Sequence, residues 1–289
     1  MKGLRSTRSG AVERIRVVYR SMFRFMGTTP SRLVYERHVP AILNKLQAEE
    51  KPALVLDAGC GVGNYASWFT QCNYIGIDAV NKGIEAPSRD NISFCMGLIG
   101  TLPFADESFD FVFCSLVLQH VNDVEQTLSS LYRVLKPGGT LLVTTTSKWA
   151  RLIGEMPHLF WRIDDPTIGQ AYHYFDAEDI ARYHRDAGFR DVRVNRIDGV
   201  CIFCLDLLGT FFGLMKRKLT GRTYTHKRTS TDTSCTHHPP KRNPAYDIWK
   251  VAATPLLAGL KWLLVQCAQL LDYILPPGPS RIIAVVAKK

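Results

Sequence analysis

The chain has 289 residues, of which 46% are hydrophobic, 21% charged and 10% aromatic. This ordinary globular composition excludes wholesale disorder, collagen-like repetition and a disulfide miniprotein. The net charge of +10 is held unevenly: residues 1–50 carry ten Lys/Arg against four Asp/Glu, and residues 216–242 carry eight against one. The rest is slightly acidic, so the basic character belongs to two segments suited to an anionic surface, either nucleic acid or lipid headgroups.

Taken in chain order, the first stretch is rich in arginine and has no long apolar run, so no secretory signal is expected. The eight cysteines show no evenly spaced framework, which suits a reducing, cytosol-facing compartment. Read as a helix, Ala11–Met26 puts Arg16, Arg20, Arg24 and Glu13 on one side. Ile15, Val18, Met22, Phe25 and Met26 fall on the other. Residues 1–40 therefore read as a basic amphipathic segment of membrane-surface type, with a cleaved mitochondrial presequence as the rival.

Residues 41–198 read as the core. Ala53–Leu56, Tyr74–Ile77, Phe109–Phe113 and Thr140–Thr144 are short apolar runs bounded by Gly, Asp or Pro, and are expected as buried strands. Helices are expected over Tyr65–Gln71, Val124–Leu135 and Ala177–Ala187, the last with Asp176 as N-cap and Gly188 beyond its end. Arg190–Ile197 and Arg281–Ala287 look like two late strands. This alternation predicts an α/β fold with a mostly parallel sheet and helices on both faces.

The strongest motif is Val55-Leu-Asp57-Ala-Gly59-Cys-Gly61-Val-Gly63-Asn64-Tyr65. Glycines after a buried strand let the backbone approach a ligand closely and take φ > 0. The spacing is G-x-G-x-G, whereas a dinucleotide fingerprint reads G-x-G-x-x-G and holds a pyrophosphate. Asp57 precedes the loop, where a carboxylate would repel a pyrophosphate but attract an ammonium. Asp78 ends the next strand and can accept hydrogen bonds from both hydroxyls of a ribose. The pattern suits a ligand with an adenosine and a cationic amino-acid end.

At this point the chain resembles the class I S-adenosylmethionine-dependent methyltransferases, particularly the small-molecule group that includes quinone-biosynthesis enzymes. Four motifs carry the resemblance: LDAGCGVGNY (56–65), YIGIDAV (74–80), LPFADESFDFVFCSLVLQHV (102–121) and RVLKPGGTLLVT (133–144). It implies a doubly wound, mostly parallel seven-stranded Rossmann-like sheet and S-adenosyl-L-methionine as cofactor. Asp57, Gly59, Gly61 and Gly63 would line the methionine end and Asp78 would hold the ribose. Ala79 and Ile99 would border the adenine, and Cys114 and Ser115 would lie beneath the methionine moiety. An N-terminal helix in this family often covers the acceptor pocket. One position departs from the pattern: Leu98 stands where the family carries an aspartate for the adenine amino group.

Methyl transfer from a sulfonium relies largely on positioning, with a general base where the acceptor is a hydroxyl. His120, after the fourth core strand, and His173, among aromatic residues before the helix at 177, are the candidate bases. His158 is also present, and His184 is read as a surface-helix residue. No metal site is expected, because Cys201 and Cys204 lie in an apolar run without a second pair and Cys235-Thr-His237-His238 reads as loop. The family's amino-methylating nucleic-acid enzymes carry an Asn/Asp-Pro-Pro-Tyr sequence, which this chain lacks.

Residues 199–280 are expected as a helical, partly disordered insertion before the last strand, residues 281–289. Its first helix, Val200–Leu219, is apolar except for a line of Asp206, Thr210, Gly213 and Arg217. Its second, with Thr254 as N-cap and Pro255 at the first helical position, collects Leu256, Leu260, Leu263, Leu264, Cys267, Leu270, Leu271 and Ile274 on one side. Lys261, Gln269 and Asp272 fall on the other. Neither helix has the 18 uninterrupted apolar residues of a span, so both are expected to dock on an anionic membrane surface. The implied function is methylation of a small, apolar or lipid-linked acceptor by a cytoplasmic peripheral membrane protein. An RNA methyltransferase and a non-catalytic membrane-associated scaffold are the alternatives, and nucleic acid is not the expected partner.

Overall fold

The computed structural model describes residues 30–80, 83, 89–151, 173–220, 263–275 and 278–289, and leaves aside the side chains of 212–220. The amphipathic stretch 11–26, His158, Cys235 to His238 and the Thr254–Pro255 helix start lie outside the described residues.

Helix α1 (Pro30–Glu50) buries Ser31, Val34, Tyr35, Val39, Leu43 and Leu46, a spacing of three and four that makes one helical stripe. It runs across the boundary drawn at residue 40, so residues 30–40 pack with the core. Strands β1 (Leu54–Ala58), β2 (Asn73–Asp78), β3 (Ile92–Met96), β4 (Phe109–Ser115) and β5 (Leu135–Thr146) follow, with α2 (Val124–Val134) before β5. Then come α3 (Ala177–Asp186), β6 (Arg190–Arg196), α4 (Val200–Thr220) and β7 (Ile282–Lys288), with helical residues 263–274 before β7.

The strands form one sheet in the order β3-β2-β1-β4-β5-β7-β6. β7 runs antiparallel to both β5 and β6, and the other pairings are parallel. This is the expected doubly wound, mostly parallel seven-stranded α/β sheet. Buried strands pack α2 and α3 on one face, through Leu128, Leu131 and Ile180. The other face takes Val39 and Leu43 of α1, Ile202 of α4, and Val265 and Ala268. The carboxyl ends of β1, β2 and β4 therefore open between two covered faces, where such sheets bind ligands.

Three local expectations change. The helix expected over Tyr65–Gln71 is a single 3-10 turn, Ala66–Trp68. Only nine residues separate Gly63 from Asn73, too few for a helix once the loop and the return to β2 are built. β3 is an additional edge strand, whose half-exposed residues gave no buried apolar run. His184 is not a surface residue but fully buried, with Nδ1 2.7 Å from the Ile180 carbonyl and the ring 5.8 Å from that of Phe189.

Both insertion helices leave large apolar side chains facing outward. On α4 the polar line faces in, with Asp206 and Thr210 buried, while Leu208 and Phe211 are exposed. On helical residues 263–274, Val265 and Ala268 are buried, whereas Leu263, Leu264, Leu270, Leu271 and Ile274 are exposed. Asp272 caps α4 from that neighbouring helix, accepting from the Cys201 and Ile202 amides at 2.7 and 3.2 Å. Among the described residues no helix is long and apolar enough to cross a membrane.

Candidate cofactor site

The loop between β1 and the 3-10 turn places Gly59, Gly61 and Gly63 at φ +87°, +62° and +82°, backbone that favours glycine. Gly59 has a second constraint, since an added Cβ would sit 2.3 Å from Val117 Cγ2. The loop is held over the sheet by Gly59 and Cys60 amides donating to the Ile77 carbonyl at 2.7 and 3.0 Å. Asp78 ties it at the other side: Oδ2 accepts from the Gly61 amide at 2.9 Å and Oδ1 from the Val80 amide at 3.0 Å.

Asp57 lies beneath this loop, 1% exposed. Its Oδ2 accepts a 2.6 Å hydrogen bond from the Tyr74 hydroxyl, and Oδ1 has no partner among the described residues. Burial raises its pKa to about 7, against the Tyr74 hydrogen bond and with a smaller contribution from the Asp78 charge. A buried carboxylate oxygen without a donor fits a cationic group brought in by a ligand. Together with the left-handed glycines and the acid at the tip of β2, this donor and acceptor set fits the amino-acid and ribose ends of S-adenosylmethionine.

Ala79 is exposed just beyond Asp78, and Ile99 is nearly buried at the start of the 3-10 turn Ile99–Thr101. Leu98, the position without an acid, is 63% exposed at the rim of the same end. Cys114 and Ser115 face opposite ways at the end of β4. The Cys114 side chain is fully buried in the core under α2, where burial pushes its thiol pKa up. Ser115 turns toward α1, and its hydroxyl meets that of Tyr35.

Tyr35 also lies 2.8 Å from Thr144 Oγ1, and Tyr65 joins Tyr35 and Ser115 while stacking edge-on against Phe113 at 4.9 Å. Burial raises the pKa of both phenols, so they act as neutral hydroxyls. Tyr35, Tyr65, Tyr74 and Thr144 were not singled out in the sequence. Tyr65 directly follows the glycine motif and was within reach of motif reading; Tyr35, on a helix far away in sequence, was not.

The two candidate bases lie on adjoining segments. His120 ends the 3-10 turn Leu118–His120 after β4. The His173 amide donates to the Gln119 carbonyl at 3.3 Å, and its Nε2 is 3.0 Å from the Val121 carbonyl. A carbonyl only accepts, so Nε2 carries the hydrogen and Nδ1 is the nitrogen left to take a proton. Among the described residues no cluster of ligating side chains could hold a metal ion.

Residues 56–143 match the family model described as a methyltransferase domain. The chain is 33% identical over 134 residues to the malonyl-[acyl-carrier protein] O-methyltransferase of Pseudescherichia vulneris, covering 44% of this chain and 51% of that protein. It is 36% identical over 107 residues to the ubiquinone/menaquinone biosynthesis C-methyltransferase of Haemophilus ducreyi, covering 32% and 41%. The chain thus spans about half the length, or less, of these curated relatives. In fold it is similar to an S-adenosylmethionine-dependent methyltransferase from Mesorhizobium loti, with a TM-score of 0.50 at 15% identity, covering 91% of this chain and all of that one.

Proposed function

We propose that this chain is a class I S-adenosylmethionine-dependent methyltransferase, in keeping with its match to the methyltransferase-domain model over residues 56–143, and that it methylates a small, apolar or lipid-linked acceptor at a membrane surface. The observation that carries the chemistry is the unpartnered Asp57 Oδ1 beneath the glycine loop. When bound, the cofactor supplies a methyl group on a sulfonium, activated for in-line displacement. Asp57 would hold the ammonium end and Asp78 the ribose hydroxyls, and the Tyr35–Ser115–Thr144 hydroxyls at the end of β4 would border the acceptor. His173 Nδ1 is the candidate to take a proton from a hydroxyl acceptor.

An apolar acceptor and a membrane surface are supported by the outward leucines at 263–274, together with Leu208 and Phe211. The basic run 216–242 lies between these helices in sequence, which supplies charge complementary to anionic headgroups. The name of the ubiquinone/menaquinone relative points the same way. The test is calorimetry with S-adenosylmethionine, then transfer of labelled methyl into lipid, RNA and protein fractions. Binding with label in lipid is expected. Label in RNA overturns the acceptor reading, and no binding overturns the methyl-transfer reading.

A further inference from the structure

A buried polar cluster lies away from the cofactor loop, where α1, the β6–α4 junction, α4 and the start of β7 meet. Asp198 Oδ1 accepts from the Arg281 and Ile282 amides at 2.8 and 3.0 Å, and Ser280 Oγ lies 2.6 Å from it and 2.8 Å from the Ile282 carbonyl. Asp206 Oδ2 is paired with Arg281 Nη1 at 2.8 Å, and its Oδ1 accepts from the Ser31 amide at 3.3 Å. Ser31 Oγ lies 2.6 Å from Asp198 Oδ2 and also meets Asp206 Oδ2. Asp198, Asp206 and Ser31 are all nearly inaccessible.

A hydroxyl has one hydrogen and can donate to only one of these carboxylates. The second contact needs a hydrogen on a carboxyl oxygen, since two lone pairs facing each other at that distance repel. Charge counting agrees: among the described residues two buried carboxylates face one guanidinium, and a buried charge without a partner is strongly disfavoured. Arg281 is committed to Asp206, which assigns the negative charge there and the proton to Asp198.

We infer that Asp198 is held as the neutral acid and donates from Oδ2 to Ser31, which donates in turn to the Asp206 carboxylate paired with Arg281. This line of hydrogen bonds makes Asp198 a positioning residue for the reaction. Ser31 and Tyr35 are one turn apart on the same face of α1, so anchoring Ser31 sets where the Tyr35 hydroxyl meets Ser115 and Thr144. Burial raises the Asp198 pKa against its donors from Ser280, Ser31 and Ile282 and against the Arg281 charge. The other ionisable groups lining the cavity beside Asp198 are His38 of α1, Arg196 at the end of β6, and Asp272 and Tyr273 of the neighbouring helix. Ionising Asp198 would set two anions against one hydroxyl and release α1.

The consequence for catalysis rests on the methyl-transfer reading; the proton does not. The experiment compares full-length wild type with Asp198→Asn and Asp206→Asn. An asparagine can donate to Ser31 and still accept from Ser280 and the two amides, so D198N should melt within about 2 °C of wild type. D206N strands Arg281 and should melt roughly 10 °C lower. Infrared spectra of wild type near neutral pH should show a protonated carboxyl band that D198N lacks. The acceptor kcat/KM of wild type should fall at alkaline pH as Asp198 ionises, and D198N should lack that limb. A missing carboxyl band, or D198N as damaging as D206N, overturns the proposal. An alkaline limb that persists unchanged in D198N overturns the positioning role. Absence of methyl transfer by wild type, with the band present, would instead remove the reading on which that role rests.

Discussion

The Tyr74 hydroxyl donates to Asp57 Oδ2 at 2.6 Å, and the other carboxylate oxygen has no donor among the described residues. The two residues sit on adjacent strands, Tyr74 opposite Val55 in the β1–β2 register, so the phenol reaches along the strand to the acid two positions on. Half of the carboxylate is thus stabilised by the protein and half is left for a ligand.

That arrangement gives cofactor binding a pH dependence of known sign. With its pKa raised to about 7, Asp57 is largely protonated in the free protein below that value. An ammonium beside Oδ1 favours the ionised form, so binding at pH 6 should release a proton and binding at pH 8 should not. Affinity should fall about tenfold per unit as pH drops below about 7. Calorimetry in buffers of different ionisation enthalpy reads the released proton directly. Tyr74→Phe should move this limb to higher pH and weaken binding by about 1–2 kcal/mol at pH 7. Asp57→Ala should abolish most activity with the fold intact.

Asp78 uses both carboxylate oxygens on backbone amides, Oδ2 on Gly61 of the loop it faces and Oδ1 on Val80 just beyond its own strand. Asp78→Ala therefore removes the proposed ribose acceptor together with a tether of the glycine loop. Cofactor affinity should drop by about 1–3 kcal/mol by calorimetry. Unchanged affinity would place the ribose elsewhere.

Leu98 tests the one departure from the family pattern. Its side chain is 63% exposed in an extended stretch after β3, so a carboxylate fits there without burial cost. Leu98→Asp should tighten binding of the adenosine end several-fold, read against S-adenosylhomocysteine to leave the methyl out of the comparison. A weaker affinity would show that the adenine amino group does not reach this position.

The sheet was legible because each central strand is a short apolar run between turn residues, and because the glycine motif and Asp78 close their strands in the order that a parallel sheet requires. β3 was not legible: Ile92–Met96 is an edge strand with a half-exposed face, so it carries no buried run. The glycine loop and the two acids beside it could be read because they are local, within one loop and the following strand tip. The Tyr35–Ser115–Thr144 group joins residues 80 and 109 positions apart, and no spacing in the sequence brings them together. His184 was misplaced for a related reason. The helical pattern around it is polar, and the packing of Phe189 beyond Gly188 against the ring joins residues that no helical spacing pairs.

Burial of His184 predicts an acid weakness of the fold. Its pKa is lowered to about 4, chiefly by desolvation, against a weaker opposing effect of the Ile180 carbonyl. In the unfolded chain the imidazole takes a proton as pH falls below about 6.5, while the folded protein resists until about 4. Stability is therefore full above that window and is lost across it, by up to about 3 kcal/mol. His184→Leu should flatten the denaturation midpoint between pH 6.5 and 4, at the cost of the hydrogen bond to Ile180. A wild-type slope that survives in this variant would assign the acid sensitivity to another group.

The outward leucines give the last test. Leu270, Leu271 and Ile274 are all more than half exposed, on a helix that buries Val265 and Ala268 instead. An apolar stripe of this size facing water is unfavourable unless something covers it, and the adjoining basic run favours an anionic lipid surface. Replacing Leu270, Leu271 and Ile274 together by Ser removes side chains that the rest of the fold does not use, so the melting temperature should hold. Partitioning onto vesicles with anionic headgroups should fall at least tenfold, since each side chain contributes about 1 kcal/mol or more when buried in lipid. Cofactor affinity should be unchanged, because the glycine loop and Asp57 lie at the carboxyl ends of other strands. If the triple variant still sediments with anionic vesicles at low salt, the leucine face is not what meets the membrane. If it fails to bind cofactor, the face supports the fold instead.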